Sequence, residues 1–172
     1  MKLIPGKLMA TFGFVSLMAG LPVAPPALRA QAPWTAVPPM MAVPTTPDAQ
    51  RVALSNLRSR VNWLQNATRT APNYASGGAD MVRAQFQYLK ASYGTFTLTL
   101  NARQQAEGAN EIAELSAGLD ILQEAFSNYQ DDVAAGRSVG SALNDLCQVL
   151  GRAAGVWLQQ LNKDAARLRV GR

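Results

Sequence analysis

Apolar residues recur every three to four positions along four stretches of the chain. Leu54, Leu57, Val61, Leu64 and Ala71 form the first, with Thr68 filling the single gap. Val82, Phe86, Leu89, Tyr93, Phe96 and Leu100 form the second. Ile112, Leu115, Leu119, Leu122, Phe126, Tyr129 and Val133 form the third. Val139, Leu143, Leu146, Leu150, Ala153 and Trp157 form the fourth, which continues through Leu161 and Leu168 with a shift of register. This spacing puts each set on one face of an α-helix. Heptad-like stripes suit helices packed at shallow angles.

The interruptions predict where the helices end. Pro72, Asn73, Gly77 and Gly78 separate the first two runs. Gly108 and Asn110 offer a stop and an N-cap between the second and third, and Gly136 and Ser138 do so between the third and fourth. Short links between long helices make neighbours antiparallel. The expected fold is therefore all-α, an antiparallel up-down four-helix bundle over residues 48–172. A weak match of Val61–Ala67 to Leu119–Ala125 would make it a duplicated helical hairpin. Two features oppose the pattern. Thr95 to Leu100 alternates with period two, as a strand would, but the helical stripe runs straight through it. Gly94, Gly151 and Gly155 lie inside helical runs, where close helix approach or a kink would explain them.

The region before residue 48 is different in kind. Nine of the ten prolines lie there. Residues 31–47 hold five of them and no charge, which predicts an extended, disordered spacer. A docking motif built on Trp34, Pro38 and Pro39 is the alternative. Residues 1–30 have the plan of a secretory signal: Lys2 and Lys7, an uncharged stretch from Leu8 to Leu21, then prolines and small residues with cleavage after Ala30. An uncleaved anchor is the rival reading, but the uncharged stretch is short for a membrane-spanning helix. The expected destination is secreted or periplasmic, with membrane contact only through the signal before its removal.

Composition narrows the chemistry. The chain has 172 residues, 48% of them apolar and 16% charged, enough for one domain with a core. It has no His and a single Cys, Cys147. That excludes a His-based triad, a His metal site and an internal disulfide. Cys147 lies between core positions Leu146 and Leu150, so it reads as a small buried residue, with an interchain disulfide as the alternative. The formal charge of +5 falls to +2 once residues 1–30, with three bases and no acid, are removed. Nucleic-acid binding is not expected.

Charge is also segregated. From Gln104 to Gly136 there are seven acids and no base, while the flanking helical runs are basic. Such an arrangement selects one helix order over others; an acidic face for a cationic partner is the alternative. The basic end, Lys163, Arg167, Arg169 and Arg172, complements a helix C-terminus, or would touch anionic lipid or polysaccharide.

The candidate interaction residues are Arg60, Trp63, Glu107, Glu111 and Glu114. The three glutamates fall at i, i+4 and i+7, one face of one helix, and read as a solvated face. Trp63 flanks its stripe and reads as a rim residue packed under a neighbouring helix; with Arg60 it would instead form a contact patch. No catalytic residue, cofactor or metal site is expected, because no base stands ready to activate a serine and no paired carboxylates face a cleft. The sequence thus points to a non-catalytic exported protein with an unidentified protein partner and possible homodimerisation. A chaperone-like or small-ligand-binding bundle, with Tyr88, Tyr93, Phe96 and Trp157 around a pocket, is the alternative.

Overall fold

A computed structural model describes residues 43–74 and 77–172. The signal, its cleavage point and nearly all of the proline-rich spacer lie outside the described residues. The described chain is all-helical, with five α-helices: α1 (Pro47–Thr70), α2 (Gly78–Thr99), α3 (Ala102–Glu107), α4 (Ala109–Ala134) and α5 (Val139–Arg167). None of these helices is long and apolar enough to cross a membrane.

Local chemistry sets the ends. Thr46 caps α1, its hydroxyl accepting from the Ala49 amide at 3.2 Å, and Pro47 opens the first turn. Pro72 lies in a 3₁₀ turn over Ala71–Asn73 that closes this segment. Ser138 caps α5 by accepting from Ser141. The boundary between the second and third runs departs from expectation. Leu100 is extended, with ψ of 134°, so α2 stops before Gly108 is reached. Asn101, rather than Asn110, is the cap. Its side chain accepts from the Gln104 amide at 2.9 Å while the Gln104 side chain accepts from the Asn101 amide at 3.1 Å, a reciprocal capping box that starts the short α3. The segment from Thr95 to Thr99 is helical despite its strand-like alternation.

The stripes form the core. Leu57, Val61, Leu64, Phe86, Leu89, Phe96, Leu115, Leu122, Leu150 and Leu161 are all buried. Thr68 is buried too, its hydroxyl returning a hydrogen bond to the Gln65 carbonyl. Tyr93, Ile112, Tyr129, Val133 and Ala153 are half-buried, and Val139 is exposed at the first turn of α5. Contacts between the long helices run in opposite senses along each pair. Gln50, early in α1, meets Thr99 at the end of α2. Arg58 of α1 bonds Asn162 of α5 at 2.8 Å. Phe86 of α2 stacks 5.3 Å from Phe126 of α4. Trp157 of α5 donates to the Leu115 carbonyl of α4. So α1 and α4 each lie antiparallel to both α2 and α5.

The helical glycines divide. A Cβ on Gly151 would stand 3.2 Å from Thr68 Oγ1 and one on Gly155 3.3 Å from Gln65 Nε2, so both mark close approach of α1 to α5. Gly94 has no atom within 4 Å of that position. Gly94→Ala should therefore stabilise the domain by about 1 kcal/mol. A rise in urea midpoint at unchanged slope would establish this; a fall would mean that the glycine serves a contact at this position.

Candidate functional site

The outer surface between α1 and α2 carries the most distinctive side chains. Asn56, Ser59, Trp63 and Asn66 follow one another at helical spacing along α1, and Met81, Gln85, Tyr88, Ser92 and Thr95 do so along α2. Two concavities, of about 400 and 200 Å³, adjoin at Trp63. Together they touch α1 from Ala53 to Ala67, roughly 21 Å of helix at 1.5 Å per residue.

Arg60, which lines the larger concavity together with Trp63, lies against two aromatic rings. The Arg60 guanidinium lies 4.7 Å from the centre of the Trp63 ring and 5.1 Å from that of Tyr88. Each contact contributes about 0.5–1 kcal/mol at exposed positions, a modest bias toward this arrangement. Both residues are 53% exposed. Trp63 is therefore not packed under a neighbouring helix; it lies exposed against Arg60. The Gln85 Oε1 in the same groove is buried and without a hydrogen-bond partner. Tyr88 was not among the surface residues expected from sequence. The antiparallel pairing of α1 and α2 brings it to Arg60, and only that register could have signalled it.

The three glutamates do not share a helix. Glu107 ends α3, and Glu111 and Glu114 belong to α4 beyond the break at Gly108. Each has its own partner: Glu107 pairs with Arg103 at 2.7 Å, Glu111 approaches Arg167 at 3.7 Å, and Glu114 accepts from Gln160 at 2.7 Å. Gln160 also donates to the fully buried Asp164 at 2.8 Å. Asp132 and Asp145 both pair with Arg137 across the turn into α5. Several of the segregated charges thus meet basic residues of α3, α5 or the turn into it. Among the described residues no group of three or more His, Cys, Asp or Glu is placed to hold a metal ion.

Comparison with protein-family models, curated proteins and solved structures finds no match. The functional reading therefore rests on geometry.

Of the four aromatics expected around a pocket, Phe96 and Trp157 are buried, Tyr93 is half-buried and Tyr88 is exposed. Tyr93 packs edge-on to Trp157 at 6.1 Å, and its hydroxyl donates to the Ile112 carbonyl at 2.8 Å. Burial pushes its pKa up to about 12. Between pH 10 and 12 the unfolded chain loses this phenolic proton while the folded chain keeps it, so stability falls as pH rises through that window. Tyr93→Phe should reduce the loss of stability between pH 9 and pH 11.5. Parallel thermal melts of the two proteins with identical alkaline slopes would defeat the expectation. Cys147 is buried and unpaired, and desolvation raises its pKa as well. It sits as a small core residue rather than as the exposed half of an interchain bridge.

Proposed function

We propose that this protein is an exported, non-catalytic four-helix bundle that binds a protein partner through the α1–α2 groove. Export rests on the signal-like segment 1–30 and is tested by N-terminal sequencing of the product found outside the cytoplasm, which should begin at Gln31. The observation that carries the binding reading is the Arg60–Trp63–Tyr88 cluster, two half-exposed aromatic residues lying against one guanidinium. Large aromatics and arginine dominate binding energy at protein interfaces. The groove suits an extended segment that lays proline or aliphatic side chains on the rings and offers a carbonyl or carboxylate to Arg60. The pocket-based alternative has less support, because Phe96 and Trp157 fill the interior themselves.

The test is site-specific photocrosslinking in the native host, from position 63, position 88 and the control Glu124, an exposed residue of α4. One stoichiometric partner should crosslink from 63 and 88 and not from 124, through an extended segment. Trp63→Ala with Tyr88→Ala should abolish its co-purification while leaving helix content unchanged. Identical products from all three positions, or a partner retained by the double variant, would refute the proposal.

A further inference from the structure

A second concave surface, of about 540 Å³, lies where α3, the start of α4 and the residues following α5 meet. Arg103, Arg167, Arg169 and Arg172 line it, opposed by Glu107 and Glu111. Arg103 is held by Glu107 at 2.7 Å, and Arg167 lies 3.7 Å from Glu111 and 3.9 Å from Asp164. Arg169 and Arg172 enter no ion pair among the described residues. Two of the arginines that line the cleft therefore have no carboxylate partner among the described residues.

The backbone at Arg169 is the second observation. Helices α4 and α5 end in the same way. After α4, the Gly136 amide bonds the Val133 carbonyl and the Arg137 amide bonds the Asp132 carbonyl. After α5, the Arg169 amide bonds the Ala166 carbonyl and the Val170 amide bonds the Ala165 carbonyl. Both are Schellman endings, which need a left-handed residue at the first position beyond the cap. Gly136 takes that place at φ of 87°, and Arg169 takes it at φ of 52°, as the sole non-glycine with positive φ among the described residues. A side chain there costs about 1–2 kcal/mol relative to glycine. The chain uses the favoured residue at one end and an arginine at the other, and that arginine is one of the residues lining the cleft.

We infer that this cleft binds a phosphate-class oxyanion and that Arg169 is a ligand-binding residue in it, retained against the backbone preference. Planar guanidinium donors grip tetrahedral oxyanions in pairs, and Arg169 and Arg172 are the pair left available. The site is separate from the α1–α2 groove, and neither reading depends on the other.

The test uses the mature chain and two probes, titrated at low and moderate salt: pyrophosphate, and vesicles containing phosphatidylglycerol. Saturable binding of pyrophosphate is expected, weakened about five- to tenfold by Arg169→Gly. The same variant should raise the unfolding midpoint, so the loss of binding cannot come from unfolding. Arg152→Gln, on α5 away from the cleft, should leave affinity unchanged. Arg169-dependent binding to vesicles but not to pyrophosphate would retain the phosphate chemistry and place its source in a lipid headgroup. No saturable binding of either probe would overturn the inference. So would affinity unaltered by Arg169→Gly, or weakened equally by Arg152→Gln.

Discussion

Replacing Trp157 by alanine is expected to destabilise the domain by about 3–5 kcal/mol, the range for emptying a buried tryptophan site. The indole is 3% exposed. Its Nε1 donates to the Leu115 carbonyl at 2.8 Å, and its ring meets Tyr93 edge-on. One side chain of α5 thus touches both α4 and α2. The seat on α4 is made by Gly118, where a Cβ would stand 2.4 Å from Trp157 Cδ1. Gly118→Ala should therefore displace the indole and destabilise by about 1–3 kcal/mol. Where alanine already replaces Trp157, nothing remains to collide with, and the helix preference for alanine over glycine should turn the same change into a gain of up to about 1 kcal/mol. This reversal of sign is the decisive result, because a generic loss of core volume does not produce it. Urea denaturation followed by circular dichroism measures all four corners of the cycle. Equal effects of Gly118→Ala in the two backgrounds would show that the indole is not seated on that glycine.

Trp157 also illustrates which parts of the structure can be read from sequence. Its place on a stripe of period 3–4 follows from helix geometry, and the same argument locates Leu57, Phe86, Leu115 and Leu150 in the core. The end of α2 is harder to read, because Leu100 is buried at the next stripe position although its backbone is extended. The hydrophobic pattern therefore runs on past the last helical turn. Asn101 followed by Gln104 was the signal that a helix restarts there, and Gly108 drew the boundary away from it. The candidate surface was half legible. Arg60 and Trp63 are neighbours on one helix, whereas Tyr88 joins them only through the register of α2 on α1. Arg169 could not be recognised as unusual before its backbone conformation was known.

Gln50 lies furthest from what a sequence can disclose, and its replacement is the other change expected to matter most. It is a polar residue only 2% exposed. Its amide nitrogen donates to the Thr99 carbonyl at 3.0 Å and to Gln104 Oε1 at 2.7 Å, while its oxygen accepts from the Gly171 amide at 3.0 Å. These partners are 49, 54 and 121 residues away. Gln104 in turn donates to the Leu168 carbonyl at 3.0 Å. One amide side chain thereby ties the start of α1 to the end of α2, to α3 and to the residues after α5. Gln50→Leu keeps the bulk but leaves the Thr99 carbonyl and the Gly171 amide buried without partners. Each such group costs about 1–3 kcal/mol, so a total of about 2–4 kcal/mol is expected. Gln50→Glu keeps the shape and changes only the chemistry, setting a carboxylate against the Thr99 carbonyl; its penalty should be larger at neutral than at acid pH, where protonation restores a donor. Hydrogen exchange would show where the damage lies. Faster exchange should concentrate in α3 and at Gly171, with the α4–α5 core around Trp157 protected as before. A Gln50→Leu variant within 1 kcal/mol of the parent, or exchange raised evenly throughout, would mean that apolar packing alone holds this end together. The expected localisation also bears on the arginine cleft, which Gln104 lines beside Leu168. The same network that closes this end of the fold bonds Leu168 and Gly171 on either side of Arg169, so loosening Gln50 should weaken the oxyanion binding proposed for this cleft with its arginines unchanged.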